Sequence, residues 1–196
     1  MRTPHLCRQL LAAVLLAVAL PAHAIATSTA TALQNEAEGA RPDQRALDRE
    51  IETFRGSTIS LNQAIAIAEA LHAGSTTADI SFDGAAVAPV YRVKTVHQDR
   101  IWQQAIDAGT GNLVGGEAAY PLRELDSEDR HNLTVLRVTR HRLSEAVRVA
   151  EFAASGRAIS GGLAREDGRL KFVIVVVTGS EVKQVILEPP ATAGRP

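Results

Sequence analysis

Apolar residues in the first third of the chain recur with helical spacing. Leu47, Ile51 and Phe54 fall at positions i, i+4 and i+7, which places them on one side of a helix. Pro42 suits the first turn of such a helix, and Gly56 suits its end. The pattern predicts a helix that begins near Pro42 and ends near Gly56.

A second helix is predicted to begin at Ser60. Ser60 and Gln63 have the S-x-x-Q spacing of a capping box, in which each residue satisfies a free backbone N–H of the other. Gly74 follows the last predicted turn, where a left-handed residue commonly ends a helix. The apolar side of this helix consists of Leu61, Ala64, Ile65, Ala68 and Leu71.

After Gly74 the apolar spacing changes from helical to alternating, which predicts strands. Three strands are predicted, at residues 77–82, 90–96 and 100–106. The cluster Asp107-Ala108-Gly109-Thr110-Gly111 reads as a turn, with Gly109 or Gly111 at positive φ, and residues 112–114 are a candidate short strand. The first half therefore reads as two helices followed by an antiparallel meander.

The chain repeats itself at a distance of 82 residues. Within the second predicted helix, the residues that recur without change are Leu61, Ala64, Ala68 and Glu69, as Leu143, Ala146, Ala150 and Glu151. With one residue fewer between them, Tyr91 and Val93 match Phe172 and Ile174. The second half is therefore interpreted through the first.

The repeat predicts two further helices and three further strands. The first helix begins with Ser127 as its N-cap and extends to about Val138, although the run from Leu133 is also compatible with a strand. The second helix covers residues 143–154 and ends at Gly156. The predicted strands are residues 158–164, 169–177 and 182–187, and the apolar run KFVIVVV at 171–177 indicates a central strand.

These elements predict an α+β fold of two tandem repeats, each with helices packed on one face of an antiparallel sheet. The first unit is assigned to residues 41–120, the second to 121–190, and 191–196 form a tail. A unit of about 80 residues buries little core by itself. We therefore expect the units to share an interface or to continue one sheet.

The first 24 residues have the features of a secretory signal peptide. Arg2, His5 and Arg8 precede an apolar run at 10–20, and Ala22-His23-Ala24 provides a cleavage pattern. Eleven apolar residues are too short to span a bilayer as a helix. Residues 25–40 are small and polar and are expected to form a disordered lead-in. The mature protein is predicted to be periplasmic or secreted and not to span a membrane.

Composition and charge exclude several classes of function. Lys and Arg number 21 and Asp and Glu 22, so the basic excess of a nucleic-acid-binding protein is missing. Aromatic residues make up 4% of the chain, too few for a base-stacking platform. The one cysteine, Cys7, lies in the predicted leader, which excludes a disulfide framework in the mature chain.

No sequence motif for catalysis or for a cofactor was found. The patterns H-E-x-x-H, G-x-x-x-x-G-K-[ST] and G-x-S-x-G do not occur. We therefore expect no catalytic residue, no metal ligand and no cofactor, and predict that the protein is not an enzyme.

Three pieces of the first unit stand in a fixed order: the helix I-S-L-x-x-A-I-x-I-A from Ile59, the strand Tyr91-Arg92-Val93, and the strand ending in the turn motif at 107–111. Together they resemble the PepSY domain family. The second half keeps the helix and the central strand, but Glu188-Pro189-Pro190 replaces the turn motif, so it reads as a degenerate second copy. The motif residues, which we interpret as structural, are Leu61, Ala64, Ile65, Ala68, Tyr91, Val93, Asp107, Ala108, Thr110 and Gly111.

The resemblance implies an antiparallel sheet covered by helix and a role in restraining or modulating peptidases outside the cytoplasm. We expect a protein-binding module whose partner is an envelope or secreted peptidase, or another envelope protein, and which recognises it by a sheet face or edge. Two alternatives remain at this point. The protein could support an envelope assembly, or it could bind a small ligand between its two units.

Overall fold

The computed structural model describes residues 45–139 and 141–189. The predicted leader (1–24), the lead-in (25–40) and the tail (191–196) lie outside the described residues. The helices are α1 (45–55), α2 (Leu61–Leu71), α3 (Ser127–Val138) and α4 (Leu143–Ala154), with a 3₁₀ turn at Leu122–Glu124. The strands are β1 (Thr76–Asp83), β2 (Val90–His97), β3 (Arg100–Asp107), β4 (Ala118–Pro121), β5 (Arg157–Glu166), β6 (Arg169–Thr178) and β7 (Glu181–Leu187).

The seven strands form one antiparallel sheet in the order β4-β3-β2-β1-β5-β6-β7. The meander β1-β2-β3 and the meander β5-β6-β7 meet where β1 pairs with β5, with Ile80 opposite Gly161. The predicted α+β class, with helices packed on an antiparallel sheet, is confirmed. The assignment of two units, divided near residue 120, remains a prediction, and one sheet runs through both.

Helices α2 and α4 cover the same face of this sheet. Tyr91 reaches from β2 to the start of α2, where its hydroxyl donates to the Ile59 carbonyl. A Cβ added at Gly161 on β5 would lie 3.4 Å from Leu143 and 3.6 Å from Val147 of α4. Gly161 lies opposite Ile80 of β1, and Ile80 lies on the same face of the sheet as Tyr91 of β2. The two helices therefore share one buried core.

The same irregularity occurs in the first strand of each half. A β-bulge lies between Thr77 and Asp79 in β1, and another lies between Ala158 and Ser160 in β5. Each bulge residue of β5, and each of its partners in β6, lies 81 positions after its counterpart in β1 or β2. The element order of two helices and three strands also recurs. These features support the tandem-repeat interpretation, which remains a prediction.

Helix α4 covers the predicted residues, but the residues that cap α3 and end α4 each lie one position before those predicted. The N-cap of α3 is Asp126 rather than Ser127, because the Asp126 carboxylate accepts the Asp129 N–H at 2.8 Å. The left-handed residue after α4 is Ser155, with φ of 52°, rather than Gly156. Gly156 instead allows the chain after α4 to pass close to β6, because a Cβ there would lie 2.4 Å from the Val177 carbonyl oxygen.

The connection after β3 also differs from the prediction. The candidate strand at 112–114 is reduced to a single bridge between Leu113 and Ile106. Strand β4, which was not predicted, pairs with β3 further along. It is four residues long and ends in Pro121, so it lacks a periodic pattern of useful length.

Candidate functional site

Helix α2 begins at the Ser60 cap, as the sequence predicts. The Gln63 N–H donates to Ser60 Oγ at 3.2 Å, and the Ser60 N–H donates to Gln63 Oε1 at 2.8 Å. These reciprocal bonds satisfy two backbone donors that the helix leaves free. The helix then buries its motif face against the sheet, through Leu61, Ala64, Ile65 and Ala68.

Asp107 organises the turn that follows β3. Its Oδ1 accepts the Thr110 N–H at 2.7 Å, the Thr110 hydroxyl at 2.9 Å and the Gly109 N–H at 3.0 Å. These bonds, led by that from the Thr110 N–H, lower the pKa of the Asp107 carboxyl. Gly111, and not Gly109, takes the positive φ of this turn, at 77°.

The turn is fastened to the start of α2. The Ala108 carbonyl accepts the N–H groups of Thr58 at 3.1 Å and Ile59 at 3.0 Å, and the Ala108 N–H donates to the Pro89 carbonyl at 2.9 Å. The Tyr91 hydroxyl donates to the Ile59 carbonyl at 2.7 Å. Burial raises the pKa of Tyr91. The three motif pieces therefore meet at one place, the N-terminal end of α2.

The structure brings the ten motif residues into one continuous unit. Asp107, Thr110 and Gly111 form the turn itself, and Gly111 lies against α2, because a Cβ there would be 3.1 Å from Ile67 Cδ1. The remaining motif residues are buried in the core: Leu61, Ala64, Ile65, Ala68, Tyr91, Val93 and Ala108. We interpret the motif as structural, because its side chains are used within the fold.

A polar cluster lies at the other end of α2, and sequence reasoning missed it. The His72 ring, at the C-cap of α2, stacks on Trp102 of β3 with 3.9 Å between ring centroids. His72 Nε2 lies 3.0 Å from Glu117 Oε1, which also accepts Gln104 Nε2 at 2.8 Å. We call these four residues the His72 cluster. Their positions are too far apart in the chain for a local motif to reveal them.

The His72 cluster joins the segment before β4 to helix α2 and to β3. Trp102 Nε1 and Gln104 Oε1 are buried and have no hydrogen-bond partner, while the Arg100 guanidinium lies 5.8 Å from the Trp102 ring centroid. Across residues 45–139 and 141–189, no group of three or more His, Cys, Asp or Glu side chains could hold a metal ion. The cluster offers one imidazole and one carboxylate, an arrangement suited to attaching a segment.

Asp79 on β1 forms an ion pair with Lys94 on β2. The Asp79 Oδ1 and Lys94 Nζ atoms are 3.7 Å apart, and both side chains are about one-fifth exposed. Burial raises the pKa of Asp79 to about 6, and the nearby Asp129 carboxylate acts in the same direction, although Lys94 opposes the change. The pair lies on adjacent strands of the first half.

A small cavity lies where α3 meets the two central strands. It has a volume of about 10 Å³ and is lined by Ala78, Asp129, Asn132, Leu133 and Leu163. A volume of this size accommodates about one water molecule, whereas sites for organic ligands measure hundreds of cubic ångströms. This cavity between the halves is therefore too small for an organic ligand.

The unit built on α2 and the first meander matches a known family model. Residues 58–117 match the family described as "Peptidase propeptide and YPEB domain", which is the PepSY family. These residues form a PepSY domain. The resemblance noted from the sequence is confirmed for this segment, which contains α2, β1, β2 and β3 and ends at Glu117 of the His72 cluster.

Residues on either side of the PepSY domain complete the fold without belonging to the match. Helix α1 precedes it, and β4, α3, α4 and the second meander follow it. The second copy therefore remains a prediction, supported by the repeated bulge and not by the family model. Among the helices of the described ranges, none is both long and apolar enough to cross a bilayer.

A solved structure of a candidate lipoprotein from Clostridium difficile 630 is also similar to the chain. It is 17% identical, with a TM-score of 0.41, over 68% of this chain and 88% of that one. No curated protein matches the chain in sequence. The PepSY domain is therefore the finding on which functional reasoning rests.

Proposed function

We propose that this chain is an exported, non-enzymatic PepSY protein that binds and modulates, or inhibits, a separate peptidase of the cell envelope. The observation that carries the proposal is the match of residues 58–117 to a family described by peptidase propeptides. Export is supported by the leader predicted at residues 1–24, and the mature protein would be periplasmic or secreted.

The structure of the PepSY domain favours a protein partner over a small ligand. Its motif side chains are used within the fold, where Asp107 holds a turn and Tyr91 anchors the start of α2. The cavity at the junction with the second half has room for about one water molecule. Recognition through an exposed face or edge of the sheet is consistent with both features.

The proposal is tested by kinetics with the mature full-length chain. Peptidases purified from the envelope of the source cell are assayed with peptide substrates while the chain is added at increasing molar ratios. We expect the initial rate of at least one peptidase to change near a one-to-one ratio. A heat-unfolded sample of the same chain serves as the control.

Affinity capture from envelope fractions provides the second readout. A peptidase crosslinked to the mature chain in cells would agree with the proposal. If no peptidase is captured and no rate changes, the proposed function is wrong. Light scattering at several concentrations then separates the assembly role, which requires self-association, from a small-ligand role.

A further inference from the structure

The outer edge of β3 is covered by the chain itself. Strand β4 pairs with β3 so that Ile101 lies opposite Tyr120 and Arg100 lies opposite Pro121. Tyr120 is half-buried there, and Leu122 follows in the 3₁₀ turn and also packs on the core. Ile101 is fully buried as a result. The backbone groups at this edge of the PepSY domain thereby find partners.

Strand β7 occupies the equivalent position at the other end of the sheet. Ile101 pairs with Val96 in the first half, and Val182 pairs with Val177 in the second, each 81 positions later. No strand of the described residues pairs with the outer side of Glu181–Leu187, which we call the β7 edge. Val182 is partly exposed there, and Ile186 is 47% exposed.

The sequence after β7 lacks two of the N–H donors in the turn that returns the chain along β3. In the first half the Ala108 N–H donates to the Pro89 carbonyl, and the Gly109 N–H donates to Asp107. Pro189 and Pro190 stand at the two equivalent positions. Since proline has no backbone N–H, neither bond can form. The sequence after β7 therefore cannot form these two bonds of the turn that follows β3.

We propose that the β7 edge binds an extended segment of a partner protein by strand addition. Strand β4 serves as the internal template, so the bound segment places a bulky apolar or aromatic residue opposite Val182, as Tyr120 lies opposite Ile101. Main-chain hydrogen bonds supply affinity, and the side chain over Val182 supplies selectivity. This inference rests on the proposed protein-binding function and locates its binding surface.

The probe is a fluorescent peptide with the sequence of residues 116–125, GEAAYPLREL. Its binding to the mature full-length chain is measured by anisotropy, and its location is measured by amide chemical shifts. We expect the largest shift changes within Glu181–Leu187. A peptide with Tyr120→Asp is expected to bind roughly ten-fold more weakly or worse, because the charge would lie against Val182.

Two further comparisons separate strand addition from other contacts. Val182→Asp should weaken binding roughly ten-fold or more, whereas Phe152→Ser, which changes an 89% exposed side chain on α4, should leave it unchanged. The second comparison uses two peptides, one N-methylated at Ala119 and one at Tyr120, and leaves the protein unchanged. Because alternate N–H groups of an added strand point toward its neighbour, one methylation should abolish binding and the other should be tolerated.

The inference is overturned if the peptide does not bind, if shift changes lie outside β7, or if both methylated peptides bind equally. It is also overturned if the mature chain forms a dimer that Val182→Asp dissociates, because a second copy would then occupy the edge. Peptidase modulation that persists in Val182→Asp would leave the proposed function standing while this inference fails. Loss of modulation in Val182→Asp alone supports both.

Discussion

The Glu69 carboxylate at the end of α2 accepts a hydrogen bond from the Thr77 N–H at 2.8 Å, directly before the bulge in β1. Glu151 of α4 makes the same contact with the Ala158 N–H at 2.9 Å, directly before the bulge in β5. In each half a glutamate fastens the helix to the irregular strand that follows it. This contact gives a physical reason for the recurrence of glutamate in the sequence repeat.

Replacing Glu69 with alanine should destabilise the protein by about 1–3 kcal/mol, because the Thr77 N–H would be buried without a partner. Glu69→Gln keeps an acceptor oxygen and should cost less. Glu69→Gln also removes the ion pair with Arg142, but this should change stability little because the Arg142 side chain is 49% exposed. Urea denaturation provides the free energies of unfolding. Equal free energies of unfolding for the wild type, Glu69→Ala and Glu69→Gln would show that Glu69 does not stabilise the fold through the Thr77 N–H.

Gly156→Ala should be among the most damaging single substitutions in the second half. Its Cβ would lie 2.4 Å from the Val177 carbonyl oxygen and 2.7 Å from Val176 Cγ1, so α4 or β6 must move. We expect a loss of about 3 kcal/mol or more. The matched control is Gly168→Ala, where the turn has φ of 75° and open space, and which should cost about 1 kcal/mol. Similar thermal midpoints for the two variants would show that the structure accommodates a Cβ at position 156.

Asp79→Asn should alter the pH dependence of stability. The pKa of Asp79 is raised from 3.8 to about 6 in the folded state, mainly by burial. The folded state therefore favours the protonated form, and the stability that this provides is present below pH 3.8 and lost as the pH rises through 6. The difference in unfolding free energy between Asp79→Asn and wild type should rise by roughly 1–3 kcal/mol from pH 4 to pH 7.

The control for that measurement is Asp99→Asn, which changes a carboxylate that is 92% exposed. Its free-energy difference from wild type should stay nearly constant over the same interval. A constant difference for Asp79→Asn as well would show that the Asp79 carboxyl is not destabilised by burial.

The His72 cluster can be followed through Trp102, which is the chain's one tryptophan. His72→Ala removes the ring that covers the indole at 3.9 Å, so the fluorescence emission should shift to longer wavelength. His97→Ala is the matched control, because its ring lies 6.4 Å from that of His72 and no ring contact joins it to Trp102. Equal emission maxima for the two variants would argue against the stack.

Local sequence patterns predict much of the secondary structure in the first half. Ser60 and Gln63 predicted the start of α2, and the alternating run from Tyr91 predicted β2, since capping and face alternation depend on residues a few positions apart. The turn chemistry of Asp107 was foreseeable for the same reason. In the second half the repeat, rather than local pattern, correctly favoured helix over strand from Leu133.

Features that depend on distant residues could not be read from the sequence. Glu117 lies 45 positions from His72, and neither residue has a neighbour that marks the contact. The pairing of Ile80 with Gly161, which joins the two meanders, likewise has no local signal. Strand β4 was not predicted, because its four residues are held by pairing with β3 and by the packing of Tyr120 and have no alternating apolar pattern of their own.

The pairing of β1 with β5 has a consequence for how the protein folds. Ile80 and Gly161 are 81 residues apart, so this contact closes a long loop and is expected to form late. Until then the two central strands expose unpaired edges. At high concentration, β1 of one molecule can pair with β5 of another through the same native register. Refolding from concentrated solution should therefore yield exchanged dimers, whereas dilute refolding should favour monomers.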